Sequence, residues 1–320
     1  MKSFTLWSLA LGIFIASPLA LAERGGKPKQ VLFFTKSSGY EHSVIKTQDG
    51  QPSLAHKALD ELGAKHGFVV THTKDGGVFT AEGIAKYDAF IFYTTGDLTT
   101  PGNDKNPPMS AEGKAAFLEA ITRGKGFVAM HAGADTFHSP GERFEASDEA
   151  ADPYVKMLGG EFIKHGQQQK AKVVCADARF PGFAECKDSF EMLEEWYSFK
   201  NFAQDLHVLH WLGTWSMKNT GNDSVYRRAP YPVTWARRHG KGRVFYTALG
   251  HRDEVWAHPL FRNLLTGAIK WATGLASASV KPNIAAVTPG FAELPPNDPP
   301  PPKPAAPTAA ATPPPAPRAP

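Results

Sequence analysis

The chain has 320 residues, of which 42% are hydrophobic and 21% are charged, and its formal net charge at pH 7 is +4. This length allows one large globular domain. The small positive charge is scattered, with no basic run or stripe, so nucleic acid is not expected as a partner.

The first segment of the chain has the features of a secretory signal. Lys2 precedes an apolar run over residues 4–16, and residues 20–22 (ALA) form a cleavage site of the A-x-A type. We therefore expect a signal peptide at residues 1–22 and a periplasmic or extracellular protein. The run is too short for a membrane span, and no later stretch is long enough, so no transmembrane segment is expected. The alternatives are an uncleaved anchor or a lipoprotein. Lipidation is not expected, because no cysteine lies near the predicted cleavage site.

The far end of the chain changes composition after Gly274, and proline and alanine dominate it from residue 295 onward. Such a segment has almost nothing to bury, so we expect a disordered, polyproline-like tail at residues 276–320. The domain itself is then predicted at residues 27–275.

The only two cysteines, Cys175 and Cys186, are close in sequence. In an oxidising compartment a disulfide between them is the leading prediction, and it would stabilise the fold by roughly 2–3 kcal/mol if unstrained. The alternative is two separate buried thiols. Neither cysteine follows a strand with a turn of small residues, so neither indicates a catalytic nucleophile.

The first half of the domain alternates short apolar runs with segments of helical spacing. The predicted strands are residues 30–35, 68–70, 89–93 and 126–130. The predicted helices run from about residue 54 to Gly67 and from Ser110 to Gly124. This alternation predicts a parallel sheet with helices on both faces.

The second half contains more strands than helices. A short helix is predicted from Asp152 to Gly159 and a last helix from Pro259; the predicted strands are residues 171–175, 207–212, 232–237 and 243–249. Because His207 and His210 fall on opposite faces of their strand, at most one of them is expected to point inward. Together the elements predict an α/β fold with three layers, in which helices cover both faces of a mostly parallel sheet.

Polar residues and three histidines follow the predicted strand ends. Open parallel sheets bind ligands beyond these ends. The strongest signal is residues 126–135, where a buried strand runs into a turn of small residues that presents an imidazole, in the place where α/β-hydrolases present a serine. The residues at these ends include Tyr40 and His42, Thr95 and Asp97, His131 and Asp135, and His251 and Asp253.

Seven segments, in this order and spacing, resemble the ThuA-like, or trehalose utilisation, family over about residues 31–274. They are residues 36–42 (KSSGYEH), 93–97 (YTTGD), 126–136 (GFVAMHAGADT), 158–165 (LGGEFIKH), 194–199 (EEWYSF), 231–235 (YPVTW) and 240–251 (GKGRVFYTALGH).

The resemblance implies a fold like that of class I glutamine amidotransferases, which is also flavodoxin-like. That fold places a cysteine where this chain has His131, and a His-x-Glu pair where this chain has His251 and Asp253. Without the thiol the thioester route is absent, so amidotransferase activity is not expected. The family usually has His-Pro where this chain has His165 followed by glycine, which puts a substrate-binding role for His165 in question.

The histidines at the strand ends predict a metal site, with zinc or manganese as the expected ion and no nucleotide cofactor. The candidate ligands are His131, His251, Glu195 and His42. In the alternative without metal, His131 is a general base held by Asp135 or Asp253, His251 is an acid, and Tyr197 is a proton donor. A third possibility is that these histidines only make hydrogen bonds that stabilise the sheet edge.

Aromatic and polar residues near these histidines predict a carbohydrate-binding pocket, because sugar rings pack on aromatic faces. The candidate substrate-binding residues are Tyr40, Thr95, Asp97, Trp196 and His165, whereas Trp235 is expected in the core. The leading hypothesis, for which the family resemblance supplies the sugar, is an exported enzyme acting on a disaccharide, a glycoside or a keto-sugar derivative by hydrolysis or elimination. The alternatives are a sugar-binding or signalling domain without catalysis, and a scaffold used for assembly.

Overall fold

The computed structural model of the chain describes residues 26–298. The predicted signal peptide and the last part of the predicted tail therefore lie outside the described residues. In chain order the strands are β1 Lys29–Phe34, β2 Phe68–Thr73, β3 Ala89–Phe92, β4 Gly126–Met130, β5 Glu161–His165, β6 Gln169–Cys175, β7 Ser189–Glu194, β8 Tyr197–Lys200, β9 His207–Gly213, β10 Tyr231–His239 and β11 Gly242–Thr247.

Ser110 and Gly67 lie at the helix ends that the sequence predicts, and Ser53 provides a further cap that was not predicted. Ser53 and Ser110 each accept a backbone N–H at a helix start, and Gly67 ends the first helix in the left-handed conformation. The α-helices are α1 Leu54–His66, α2 Ala81–Ala85, α3 Ala111–Arg123, α4 Pro153–Leu158, α5 Asp253–Ala257, α6 Pro259–Ala272 and α7 Ile284–Val287. No helix within the described range is long and apolar enough to span a bilayer.

Nine strands of the described part of the chain form one mixed sheet in the order β2-β1-β3-β4-β11-β10-β9-β6-β7. The first five in this order run parallel, as predicted, and the other four add in antiparallel pairs. The prediction of a mostly parallel sheet therefore holds for only half of it. The physical reason is the short connection between β10 and β11: two residues can join antiparallel neighbours but cannot make a parallel crossover.

The helices fall into two contacting groups around this sheet. Helices α1, α5 and α6 contact one another, and α6 packs on β4 and β11. Helices α2, α3 and α4 form the other group, of which α3 and α4 also contact β11. The approach of α6 to β4 is close: a Cβ built on Gly126 would lie 2.4 Å from the Ala272 carbonyl oxygen.

A separate two-stranded sheet was not predicted from the sequence. Strands β5 and β8 pair antiparallel, with His165 opposite Tyr197. The segment is held to the main body because the Tyr226 hydroxyl donates to the Trp196 carbonyl and the Tyr231 hydroxyl donates to the Tyr197 carbonyl.

The predicted domain boundary at residue 275 is too early. The Asn283 side chain makes two hydrogen bonds to the backbone of Val208. Its Oδ1 accepts from the Val208 N–H at 2.6 Å, and its Nδ2 donates to the Val208 carbonyl oxygen at 3.1 Å. Ile284 and Phe291 are buried in the core. Residues 276–298 thus pack along β9. A few apolar residues and Asn283 hold this segment against the strand.

The predicted disulfide is not formed in the structure, where Cys175 and Cys186 are free cysteines.

The prediction that at most one of His207 and His210 points inward is wrong. The two residues lie on opposite faces of β9, but both are buried, because residues 276–298 cover the His207 side.

Candidate functional site

His131 occupies a strained position at the end of β4. It opens a short 3-10 turn, His131–Ala134, with φ at +40°, a value that non-glycine residues rarely adopt. Such a conformation costs of order 1–3 kcal/mol and persists only where the surroundings enforce it. Here the Tyr246 hydroxyl donates to the His131 carbonyl at 2.8 Å. The turn directs a fully buried imidazole to the edge where the parallel strands end.

The proton positions on His131 follow from its partners. Nδ1 lies 3.0 Å from the Ala248 carbonyl oxygen, which only accepts, so Nδ1 carries the proton. Nε2 then presents its lone pair and lies 3.4 Å from Glu195 Oε2 and 3.2 Å from His251 Nδ1.

The orientation of His251 is set by a side chain that the sequence did not single out. The guanidinium of Arg252 donates to Gln168 Oε1, so the amide nitrogen of Gln168 faces His251 and donates to its Nε2 at 2.8 Å. His251 Nδ1 therefore carries the proton, and it lies 3.2 Å from Glu195 Oε2. Both imidazoles converge on the same carboxylate oxygen.

His42 completes the cluster from the loop after β1. Its ring packs edge-on against the rings of His131 and His251, with centroids 5.0 and 5.3 Å away. Burial, and then the neighbouring imidazoles, lower the pKa of His42 to about 2, so its ring is neutral. Its Nδ1 is buried and has no hydrogen-bond partner among residues 26–298. Burial also lowers the pKa of His131, although contact with Glu195 opposes this.

Two adjacent glutamates serve different purposes. Burial opposes ionisation of Glu195, but contacts with His131 and His251 outweigh it and hold the pKa of this carboxyl well below its usual range. Glu194 is more deeply buried, which raises its pKa to about 7 although backbone donors oppose the shift. Glu194 accepts the backbone N–H groups of Glu195 and Gly250, each at 3.0 Å. It therefore ties the Glu195 segment to the loop that carries His251.

His42, Glu195 and His251 of the cluster line a cavity of about 340 Å³, at the lower end of the range for small-molecule sites, and the fully buried His131 lies behind them. Tyr40 stands at its mouth with 69% of its surface exposed, whereas Tyr197 is buried with its ring centroid 4.2 Å from that of His131. The residues lining the cavity are Tyr40, His42, Asp135, Phe162, His165, Gln168, Glu195, Tyr197 and His251.

The structure brings the four candidate metal ligands together. One donor atom from each of His42, His131, Glu195 and His251 lies within 4.8 Å of every other. Of the remaining candidates, Tyr40, Asp135, His165 and Tyr197 line the cavity.

Four candidates lie elsewhere, each for a local reason. Trp196 is buried in the core with its indole N–H on the Gln169 carbonyl. Thr95 is buried and donates to the Tyr40 carbonyl, so it supports the Tyr40 loop. Asp97 caps its own turn by accepting from Thr99. Asp253 opens α5.

The predicted support of His131 by an aspartate is wrong. Asp135 instead accepts from His138 Nε2 at 2.7 Å, while His131 is held by the Ala248 carbonyl and faces Glu195. A backbone carbonyl has no sequence signature, so this partner was not predictable. Gln168 also has no motif around it, and Glu194 was not among the candidates although it begins the segment 194–199.

Glycine at position 166 explains the departure from the His-Pro pattern. A Cβ there would lie 2.2 Å from Asp223 Oδ1, and the Gly166 N–H donates to the Tyr226 hydroxyl at 2.9 Å. Proline would clash and would lack this donor. His165 nevertheless lines the cavity, with its ring nearly parallel to that of Tyr197 at 5.9 Å.

The fold and this cavity define an α/β protein whose strand ends gather three histidines and a glutamate. The ThuA family model, described as trehalose utilisation, matches residues 30–272, and the chain belongs to this family. The family description supports a carbohydrate-related role. No curated protein sequence matches the chain.

One solved structure shows the same fold at low sequence identity, and a second is similar over much of its length. A ThuA-like protein from Bacteroides uniformis ATCC 8492 is 20% identical with a TM-score of 0.56, over 80% of this chain and 95% of that chain. A ThuA-like protein from Parabacteroides merdae ATCC 43184 is 16% identical with a TM-score of 0.49, over 79% of this chain and 92% of that chain.

Proposed function

We propose that this protein is an exported carbohydrate-active enzyme that binds a divalent ion, zinc or manganese, through His42, His131, Glu195 and His251. The observation that carries the proposal is the convergence of three imidazoles and one carboxylate, with donor atoms within 4.8 Å of one another, beside a cavity that His42, Glu195 and His251 line. The ligands come from four separate segments of the chain.

The donor set fits such an ion. Burial lowers the pKa values of His42 and His131, which favours the neutral rings that metal binding requires, and the Nδ1–H of His251 faces the Glu195 carboxylate and favours its ionised form. The Nδ1–H of His131 donates to a backbone carbonyl, as the second nitrogen of a metal-bound histidine usually does. The unpartnered Nδ1 of His42 is a further sign of a missing ligand. When bound, the ion would polarise a sugar oxygen as a Lewis acid.

We assign proton transfer to His165, which lies outside the ligand set. Its Nδ1 lies 2.8 Å from the Gly166 carbonyl oxygen, so Nδ1 is protonated and Nε2 is the basic nitrogen. The side chain is 42% exposed and lines the cavity, so it meets both substrate and solvent. Nε2 can thus take a proton beside a keto-sugar carbonyl or from an attacking water.

The substrate class is a disaccharide, a glycoside or a keto-sugar derivative. The family supports a carbohydrate, and the cavity offers groups suited to one. Tyr40 and Tyr197 present aromatic faces for the C–H side of a sugar ring, and Asp135 and Gln168 present hydrogen-bonding groups for its hydroxyls.

The test compares metal content and turnover in the wild type, His131→Ala and a control, His66→Gln, which alters a histidine at the end of α1 outside the cavity. The substrates are a panel of disaccharides, glycosides and their keto derivatives. We expect His131→Ala to lose one equivalent of zinc or manganese and at least 100-fold in turnover, while the control keeps both. A His131→Ala variant with wild-type metal content and turnover would refute the assignment. Sugar binding without any product in the wild type would contradict catalysis and leave a binding domain.

A further inference from the structure

A second group of metal-binding side chains lies outside the cavity. Strand pairing places Cys175, at the end of β6, directly opposite His210 in β9. The loop over residues 176–188 returns Cys186 to the same place, and its backbone N–H donates to the Phe183 carbonyl at 2.9 Å. Both Sγ atoms and one ring nitrogen of His210 lie within 4.8 Å of one another.

One ring nitrogen of His210 has no hydrogen-bond partner among the described residues. Its ring is fully buried, and Nδ1 lies 3.3 Å from the Thr234 hydroxyl, which in turn meets the Thr247 hydroxyl at 2.9 Å. Nε2 is buried without a hydrogen-bond partner within the described range. The Phe183 ring, with its centroid 4.7 Å from that of His210, excludes water on one side. An orphaned imidazole nitrogen beside two sulfurs requires an explanation.

We propose that Cys175, Cys186 and His210 bind a zinc ion, with Nε2 of His210 as the nitrogen donor. Two thiolates and a neutral imidazole are a zinc donor set, and they leave one position of the tetrahedron for water. The fit in charge is also good: two thiolates neutralise a divalent cation, so the ligated group carries no net charge into a low-dielectric interior.

Neighbouring groups provide outer partners for two of the ligands. The backbone N–H of Asp177 donates to the Cys175 sulfur. With Nε2 of His210 on the ion, Nδ1 would carry the proton and donate to the Thr234 hydroxyl, which would orient the ring as the outer partner of a metal-bound histidine does. In ideal zinc geometry the donors would be roughly 3.5–3.8 Å apart, so the present spread of up to 4.8 Å needs only a small contraction.

The loop over residues 176–188 is the part of the fold that such an ion would stabilise. Phe180 and Phe183 on this loop pack against Phe245, and Phe180 also meets Trp271 of α6. A zinc ion joining the loop to β6 and β9 would therefore hold an aromatic cover on the sheet. This role is structural and independent of the chemistry in the cavity.

Cobalt titration of the reduced full chain tests the proposal without interference from the histidine cluster. Thiolate-to-cobalt charge transfer absorbs in the near ultraviolet, and Cys175 and Cys186 are the only cysteines in the sequence. We expect this band to saturate at one equivalent and to disappear on adding zinc, which displaces cobalt.

Four variants complete the experiment. Cys175→Ser and Cys186→Ser should abolish the band, and Thr234→Val should weaken zinc binding about 10- to 100-fold by releasing the His210 ring. His131→Ala should keep the band unchanged, because it belongs to the other cluster. This pattern separates the second site from the proposed active site.

Absence of the band in reduced wild-type protein, with both thiols accessible to a thiol reagent, would overturn the proposal, even if the serine variants fail to fold. A cysteine pair that reoxidises to a disulfide and excludes zinc under air would overturn it as well, in favour of the disulfide. A band of unchanged intensity in either serine variant would show that the sulfur removed there is not a ligand.

Discussion

Glu161 offers a quantitative test of how the structure supports the cavity. This residue opens β5, is only 1% exposed, and accepts from the Ser139 hydroxyl at 2.5 Å and from Asn201 Nδ2 at 2.7 Å. It also meets His138, which in turn holds Asp135 of the cavity wall. Burial opposes ionisation of Glu161, but the bonds from His138 and Ser139 outweigh it and lower its pKa to about 2.

The pKa of Glu161 falls from 4.5 to about 2 on folding, a change of about 2.5 pH units. At 1.36 kcal/mol for each unit, the ionised carboxylate stabilises the folded state by about 3 kcal/mol at neutral pH. Because the folded pKa is depressed, this stabilisation is present above pH 4.5 and is lost as the pH falls toward 2. Glu161→Gln should therefore destabilise the protein by about 3 kcal/mol at pH 7 but by only about 1 kcal/mol at pH 3.

The assay is urea unfolding of the wild type and Glu161→Gln at both pH values. Glu119→Gln is the control, since Glu119 forms an exposed ion pair with Arg123 on α3 and its removal should change stability by less than about 0.5 kcal/mol at either pH. A Glu161→Gln effect that is the same at pH 7 and pH 3 would refute the reasoning, because the carboxylate's charge would then contribute nothing.

Two other predictions concern His56, which does not line the cavity, and Asn283, which lies in the segment predicted as a disordered tail. Burial lowers the pKa of His56 to about 4, so the wild-type protein should lose stability as the pH falls from 6.5 to 4. The difference in unfolding free energy between pH 7 and pH 5 should be about 1–2 kcal/mol smaller in His56→Phe than in the wild type. Parallel pH profiles of the two proteins would contradict this prediction. Asn283→Ala should destabilise the fold by roughly 1–3 kcal/mol by leaving the Val208 backbone groups unpaired, as measured by thermal unfolding. A wild-type melting temperature in Asn283→Ala would show that these two hydrogen bonds do not stabilise the fold.

The sequence by itself determined most of the elements and the location of the site. Continuous apolar runs identified the five parallel strands and helical spacings identified α1, α3 and α6, because these patterns are local properties of the chain. It also brought His42, His131 and His251 to one edge, because strands of a parallel sheet end together whatever their side chains do. The addition of Glu195 rested on the family resemblance.

Only the tertiary structure decided which groups touch. The Ala248 carbonyl rather than Asp135 holds His131, Gln168 fixes His251, and Trp196 turns into the core although its neighbours Glu195 and Tyr197 line the cavity. These choices depend on ring orientations and on partners far away in sequence, which no local pattern encodes. The same holds for residues 276–298 and for the meeting of Cys186 with His210, since both depend on where a connecting segment docks. Secondary structure follows from neighbours along the chain, whereas hydrogen-bond partners follow from packing.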